Sequence, residues 1–188
     1  MKYEECLIPE HLLKYMDENI NYGFVGKNGK IYKEPGNDEW EKDWYNECIV
    51  QDGKTLMESH YGTCWDQVEL ERKWFEEHNY QYKTIFMWFE VNKPNNLPTH
   101  TFLIFNKDNK IYWFEHAFEA QKGIHEFNNE DNLIEYVKNK QLEYVNNATV
   151  SDRNCIKCYE YTKPAENLDV DEYIYHVTHS VEKNKNQM

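Results

Sequence analysis

The sequence predicts an α+β fold in which one helix packs on an antiparallel sheet, and three stretches carry that prediction. From Thr63 to Glu77, Val68, Arg72 and Phe75 share a face with Cys64 or Trp65, while Leu70 and Trp74 form an i,i+4 pair, so the segment is helical. From Lys83 to Val91 the apolar residues Ile85, Met87, Phe89 and Val91 alternate, the period of a strand. Thr99 to Phe105 and Lys110 to His116 are two further strands joined around Asp108-Asn109, which places an antiparallel hairpin after the helix.

The remaining elements follow in chain order. Leu12, Leu13, Met16 and Ile20 fall at helical spacing over about Glu10 to Ile20. Residues 22 to 34 read as a hairpin around Lys27-Asn28-Gly29-Lys30, with Asn-Gly as a tight two-residue turn. Glu34 to Asp43, with Pro35-Gly36-Asn37-Asp38, reads as an exposed loop, followed by a short helical or surface cluster of Trp40, Trp44 and Tyr45. Thr63 is a good N-cap, and Asp66 three positions on completes a capping box for the main helix. Asn92 to Asn96 closes the first sheet strand as a loop. Residues 129 to 140 form a second helix through Leu133, Ile134 and Val137, Asn154 to Thr162 a fourth sheet strand, and 170 to 182 a terminal helix before a frayed polar tail at 183–188. With no repeat and no shift in composition, residues 1–188 read as one domain.

Composition sets the boundaries on function. The chain carries 21 Lys and Arg against 34 Asp and Glu, a formal charge of −13, and 16% of its residues are aromatic. Aromatic residues at that frequency repay chain entropy by burial, which excludes disorder of the whole chain. The negative charge repels phosphate backbones, so no nucleic-acid partner is expected. The start, Met1-Lys2-Tyr3-Glu4-Glu5-Cys6, lacks the pattern of a signal peptide, and no long apolar run suggests a membrane span, so the expected location is cytoplasmic. Five cysteines (Cys6, Cys48, Cys64, Cys155, Cys158) in a reducing compartment leave at least one thiol free.

The chemistry concentrates in Tyr61-Gly62-Thr63-Cys64-Trp65-Asp66, a cysteine in the first turn of a capped helix directly after a glycine. Backbone N–H groups at a helix start lack internal partners and, with the helix dipole, stabilise an anion, so the position favours a thiolate. The same N–H groups, that of Cys64 included, are suited to an oxyanion. Gly62 is expected to leave room for substrate. A thiolate nucleophile needs a base and a group that orients the base. His100, opening a strand, is the candidate base. With a two- or four-residue turn His100 lies opposite Ala117, and Glu115 shares its face one diagonal step away; a three-residue loop puts His116 there instead.

A Gly-x-Cys-Trp at a helix start, a His opening a strand and an acidic residue after a Trp on the next strand resemble the transglutaminase-like branch of the papain-like cysteine peptidase superfamily, over residues 60 to 118. The resemblance implies a papain-like fold with Cys64 as nucleophile, His100 as base and Glu115 in the place usually held by Asp. It also implies hydrolysis or exchange of amide bonds through an acyl-thioester. Papain itself carries a similar string, but its base lies much farther along the chain, and the position of its oxyanion glutamine is Glu58 here, a poor donor when ionised. Asp66, Glu69 and Glu71 are expected to oppose thiolate formation.

Other motifs carry less. Cys155-Ile156-Lys157-Cys158 is a lone C-x-x-C without two more zinc ligands, and His176 with His179, near Asp171 and Glu172, reads as a surface pair rather than a metal site. Gly53-Lys54-Thr55 lacks the upstream glycine of a phosphate loop. The expected activity is therefore a cysteine amide hydrolase or acyltransferase with Trp65, Trp88 and Trp113 walling the groove, no metal and no cofactor. Its partner is a peptide or amide substrate, and the acidity suits a Lys-bearing one. The competing expectation is a catalytically silent binding or inhibitory module of the same fold that uses its acidic, aromatic surface.

Overall fold

The computed structural model describes residues 1–33, 35–89, 99–144 and 156–185. Val91, the expected loop at 92–96, Cys155 and the last tail residues, 186–188, lie outside the described residues. The chain is a mixed α+β protein built on a five-stranded antiparallel sheet of order β8-β7-β6-β5-β9. The strands are β5 (Tyr82–Phe89), β6 (Thr99–Lys107), β7 (Lys110–Glu115), β8 (Gly123–Phe127) and β9 (Ile156–Tyr161). β8 is a strand that the sequence reading lacks: Gly123 to Phe127 alternates only weakly and is half-buried, so it offers little periodic signal.

The hairpin of β6 and β7 turns on two residues, Asp108 (φ 51°) and Asn109 (φ 60°), and Lys107 pairs with Lys110. Both central residues take the left-handed conformation, which Asp and Asn tolerate and which matches the twist of the flanking strands. This register puts Glu115 rather than His116 on the face of His100, because a strand's side chains alternate.

The helix α4 (Cys64–Glu77) covers one face of the sheet. Its Leu70, Trp74 and Phe75 join Phe86, Leu103, Phe105 and Phe114, with Tyr173 and Val177 of α6 (Val170–Lys185) completing that core. On the other face Met87, Phe102, Ile104 and Trp113 pack with Leu133 and Val137 of α5 (Glu130–Tyr144). Fully burying each such side chain is worth about 1.5–3 kcal/mol. The expected frayed tail is helical as far as Lys185, since neither Gly nor Pro interrupts α6.

The first sixty residues differ more from expectation. α1 (Pro9–Asn19) forms as its spacing requires. Two-residue strands follow, β1 (Asn21–Tyr22), β2 (Phe24–Val25) and β3 (Ile31–Tyr32). The β2–β3 hairpin has a longer loop rather than a tight Asn-Gly pair: beyond the Val25–Ile31 pair, Gly26 N donates to Lys30 O at 2.8 Å while Lys30 N donates to Asn28 Oδ1 at 2.9 Å, and Gly29 alone takes a positive φ, 78°. The expected loop at Glu34 to Asp43 gives way to α2 (Asp38–Glu47). The polar residues that suggested a loop start the helix: Asn37 Oδ1 accepts from Trp40 N at 2.7 Å, and Asp38, Glu39 and Glu41 complement the helix dipole.

Gly53-Lys54-Thr55 opens α3 (Gly53–Ser59), capped by Asp52. A Cβ at Gly53 would stand 2.8 Å from Leu70 Cα, so this glycine lets α3 approach α4. The chain then enters α4 through β4 (Tyr61–Gly62), which pairs in parallel with β1, Tyr22 against Gly62. Among the described residues no helix is long and apolar enough to cross a membrane.

Candidate functional site

Cys64 is the first residue of α4, and its position is set by the cap before it. Thr63 Oγ1 accepts from Trp65 N at 3.3 Å, and Asp66 Oδ2 accepts from Thr63 N at 2.6 Å and from Thr63 Oγ1 at 2.9 Å. Asp66 Oδ1 also takes the N–H of Gln51 at 2.7 Å, tying the cap to the segment before α3. Burial raises the Asp66 carboxyl to about 6, against the hydrogen bonds that hold it.

Gly62 has a reason other than room for substrate. A Cβ there would lie 2.6 Å from Leu56 Cδ1 and 2.7 Å from Asp66 Cβ, so the glycine admits α3 and the capping carboxylate. Its carbonyl accepts from Gln67 Nε2 at 2.9 Å.

His100 and Glu115 lie beyond the last paired rung of their hairpin, Leu103 with Phe114, and are joined by side chains: His100 Nε2 is 2.7 Å from Glu115 Oε2. Three more contacts fix these groups. Trp113 Nε1 donates to Glu115 Oε2 at 3.1 Å, the N–H of Phe118 donates to Oε1 at 2.7 Å, and the Phe102 ring stacks on the imidazole at 5.8 Å. Both residues are buried, with His100 5% and Glu115 2% exposed. Burial alone would lower the imidazole, but the Glu115 carboxylate and then the Cys64 thiol outweigh it and raise His100 to about 10. The ring is therefore an imidazolium at neutral pH. Its Nε2–H is given to Glu115, which leaves Nδ1 as the nitrogen for the thiol.

Strand alternation puts His100 and Glu115 on the α5 side of the sheet, with Phe102 and Trp113, whereas α4 covers the opposite side. The two sets meet at the sheet's end. There Cys64 and His100 line one cavity of about 660 Å³, walled by Tyr22, Phe118 and Tyr144.

His116, the alternative partner of His100, points the other way. Its Nδ1 lies 2.7 Å from Gln67 Oε1, and burial, helped by the charge of Lys122, lowers it to about 4. Because Gln67 gives its N–H to Gly62, its oxygen faces His116, whose Nδ1 must donate. This neutral chain ties α4 to the end of β7.

The three tryptophans expected as groove walls do not line the cavity. Trp113 is enclosed beneath Glu115, Trp65 donates through Nε1 to Thr99 Oγ1 at 3.1 Å while stacking on Tyr173, and Trp88 packs beside Phe86. Trp65 and Trp113 are instead core, as their large buried area favours, and Trp88 is half-buried. The acidic neighbours of Cys64 are also less opposed to a thiolate than their charges suggest. Asp66 is engaged by the cap, Glu69 Oε2 is 2.8 Å from Arg72 Nε, and burial pushes the Glu71 carboxyl well above its ordinary range, which disfavours its charge. Glu58 is exposed on α3 and does not line the cavity.

No family model matches the chain, and no curated protein does. The site thus stands on its own geometry. Among the described residues no group of three or more His, Cys, Asp or Glu side chains is placed to hold a metal ion. His176 Nε2 meets the carbonyl of Thr162 and His179 Nδ1 that of Tyr175. Cys158 is a half-buried strand residue, raised to about 11 by burial.

Sequence reasoning missed Gln67 and Tyr22. Gln67 stands one helical turn after Cys64, so the helical period carried that signal. Tyr22 had none, because its place depends on a two-residue parallel pairing with Gly62.

Proposed function

We propose that this protein is a cysteine-nucleophile amide hydrolase or acyltransferase of the papain-like, transglutaminase-like fold. One observation carries the reading: a buried imidazolium, His100, is held by Glu115 on one nitrogen and faces Cys64 at a capped helix start, all at a cavity large enough for a side chain. The Cys64 sulfur bonds the carbonyl carbon of the substrate, and the carbonyl electron pair moves to oxygen. His100 then gives its proton to the leaving amine, the C–N bond breaks, and an acyl-thioester remains. Water, or an amine in a transferase, bonds the thioester carbon while His100 takes its proton; the C–S bond then breaks, its electron pair returns to the Cys64 sulfur and the acyl product leaves, with Glu115 keeping the ring oriented throughout.

The cavity rim supports an amide substrate with a cationic, Lys-type group. Lys122 lies 2.9 Å from Asp17 and 2.8 Å from Glu119, so the three charges sum to a negative rim. The test is alkylation with iodoacetamide near neutral pH, with the adduct mapped. Cys64 is expected to label faster than a free thiol and Cys64→Ala to lose that fast phase. Labelling at the rate of an ordinary thiol removes the reading. The 6% exposure of Cys64 favours the alternative, a silent binding module, and the same experiment separates the two.

A further inference from the structure

A nucleophile of this kind needs two donors for the oxyanion, and the chain lacks one where papain-type sites have it, since Glu58 stands exposed and away from the cavity. The backbone N–H of Cys64 is one donor. What faces it is the phenol of Tyr22. β1 pairs in parallel with β4, Tyr22 opposite Gly62, which brings the ring alongside the start of α4. Tyr22 lines the same cavity as Cys64 and His100, which places its hydroxyl within reach of the start of α4. Stacking on Trp40, at 6.3 Å and 19°, supports the ring from behind.

We propose that Tyr22 is a catalytic residue of this site, donating its phenolic O–H to the oxyanion beside the Cys64 N–H; the inference rests on the nucleophile reading above. When a carbonyl arrives, its oxygen takes the Cys64 N–H and receives the phenolic hydrogen bond, so both donors turn to the same atom. The phenol does not transfer its proton. It remains protonated at neutral pH because burial, and next the negative charge of Cys64, push its ionisation well above the ordinary tyrosine value. The residue is 40% exposed overall, which leaves one side of the ring open to the cavity for substrate.

Two reactions of Cys64 separate this role from others. In alkylation by iodoacetamide the sulfur bonds the CH₂ carbon, iodide leaves with the bonding pair, and no oxyanion forms. In acylation by p-nitrophenyl acetate the sulfur bonds the carbonyl carbon, its π pair moves to oxygen, and collapse expels nitrophenolate. Tyr22→Phe keeps the ring and its stacking. It is expected to acylate about a hundredfold more slowly, the effect of losing one oxyanion donor, while alkylating within about twofold of wild type.

Equal slowing of both reactions would show Tyr22 acting on the thiolate, and no slowing of either would show a spectator; each overturns the proposal. A fluorinated tyrosine at 22, which preserves shape and only acidifies the phenol, is expected to lower the alkaline limit of acylation but not of alkylation, and an unmoved limit also overturns it. A wild-type Cys64 inert to both reagents overturns the nucleophile reading itself, a different result from an active thiol indifferent to Tyr22.

Discussion

Glu115 Oε2 lies 2.7 Å from His100 Nε2, and the same carboxylate also takes hydrogen bonds from Trp113 Nε1 and the N–H of Phe118. A carboxylate held by three donors cannot follow the imidazole if the imidazole moves, so it fixes the ring rather than merely balancing its charge.

Glu115→Gln should therefore lower the acylation rate by about 10²–10⁴-fold, the range ascribed to general acid–base chemistry, with the fold intact. The amide keeps the shape but not the charge that raises His100, so the imidazole titration followed by NMR should move down from about 10. An unchanged titration would mean that Glu115 does not set the charge on His100.

His100 also predicts an alkaline limit on stability. Its folded pKa of about 10 lies above the unfolded value of about 6.5, so the folded state binds the proton more tightly. The stabilisation is complete below the unfolded value and is lost as pH rises through about 10. Urea unfolding between those limits should show stability declining with pH in wild type and a flatter profile in His100→Phe.

His116 has the opposite sign. Folding lowers it to about 4, so between the unfolded value and about 4 the unfolded chain binds a proton that the folded chain refuses. Stability should fall as pH falls through that window, by on the order of 3 kcal/mol for a shift of this size. Asp66 opposes the trend because its raised carboxyl takes up a proton on folding in the same range. The difference between wild type and His116→Gln isolates the histidine, and parallel profiles for the two proteins would refute its burial as a neutral ring.

Gly62→Ala should destabilise the protein by about 1–3 kcal/mol, as overpacking does, because the new methyl meets Leu56 and the Cβ of Asp66. Leu56 can rotate, whereas Asp66 is held by the cap. Thermal unfolding measures the loss, and a slower iodoacetamide reaction in the variant would show that the first turn of α4 has shifted.

The parts that were legible in sequence rest on local interactions. The capped start of α4, the helix α1, the alternation in β5 and the Asp108-Asn109 turn each depend on residues within a few positions of one another. The turn had the longest reach, since its length alone assigns Glu115 and not His116 to the face of His100. The same local reasoning failed at Asn37 to Asp43, where capping residues and turn residues are the same types, and at β8, which has almost no period.

The amino-acid order singled out Cys64, His100 and Glu115 through caps, periods and turn length. It did not decide their meeting. Cys64 belongs to a helix on one face of the sheet and His100 to the other face, so only the packing of α4 across the sheet's end brings them to one cavity. The cavity's walls were likewise a tertiary outcome: burial drew Trp65 and Trp113 into the core, and a pairing across some forty residues delivered Tyr22. Local patterns specify which faces and termini a chain makes, but contacts between distant segments depend on how those faces are covered, and that is decided only when the whole core closes.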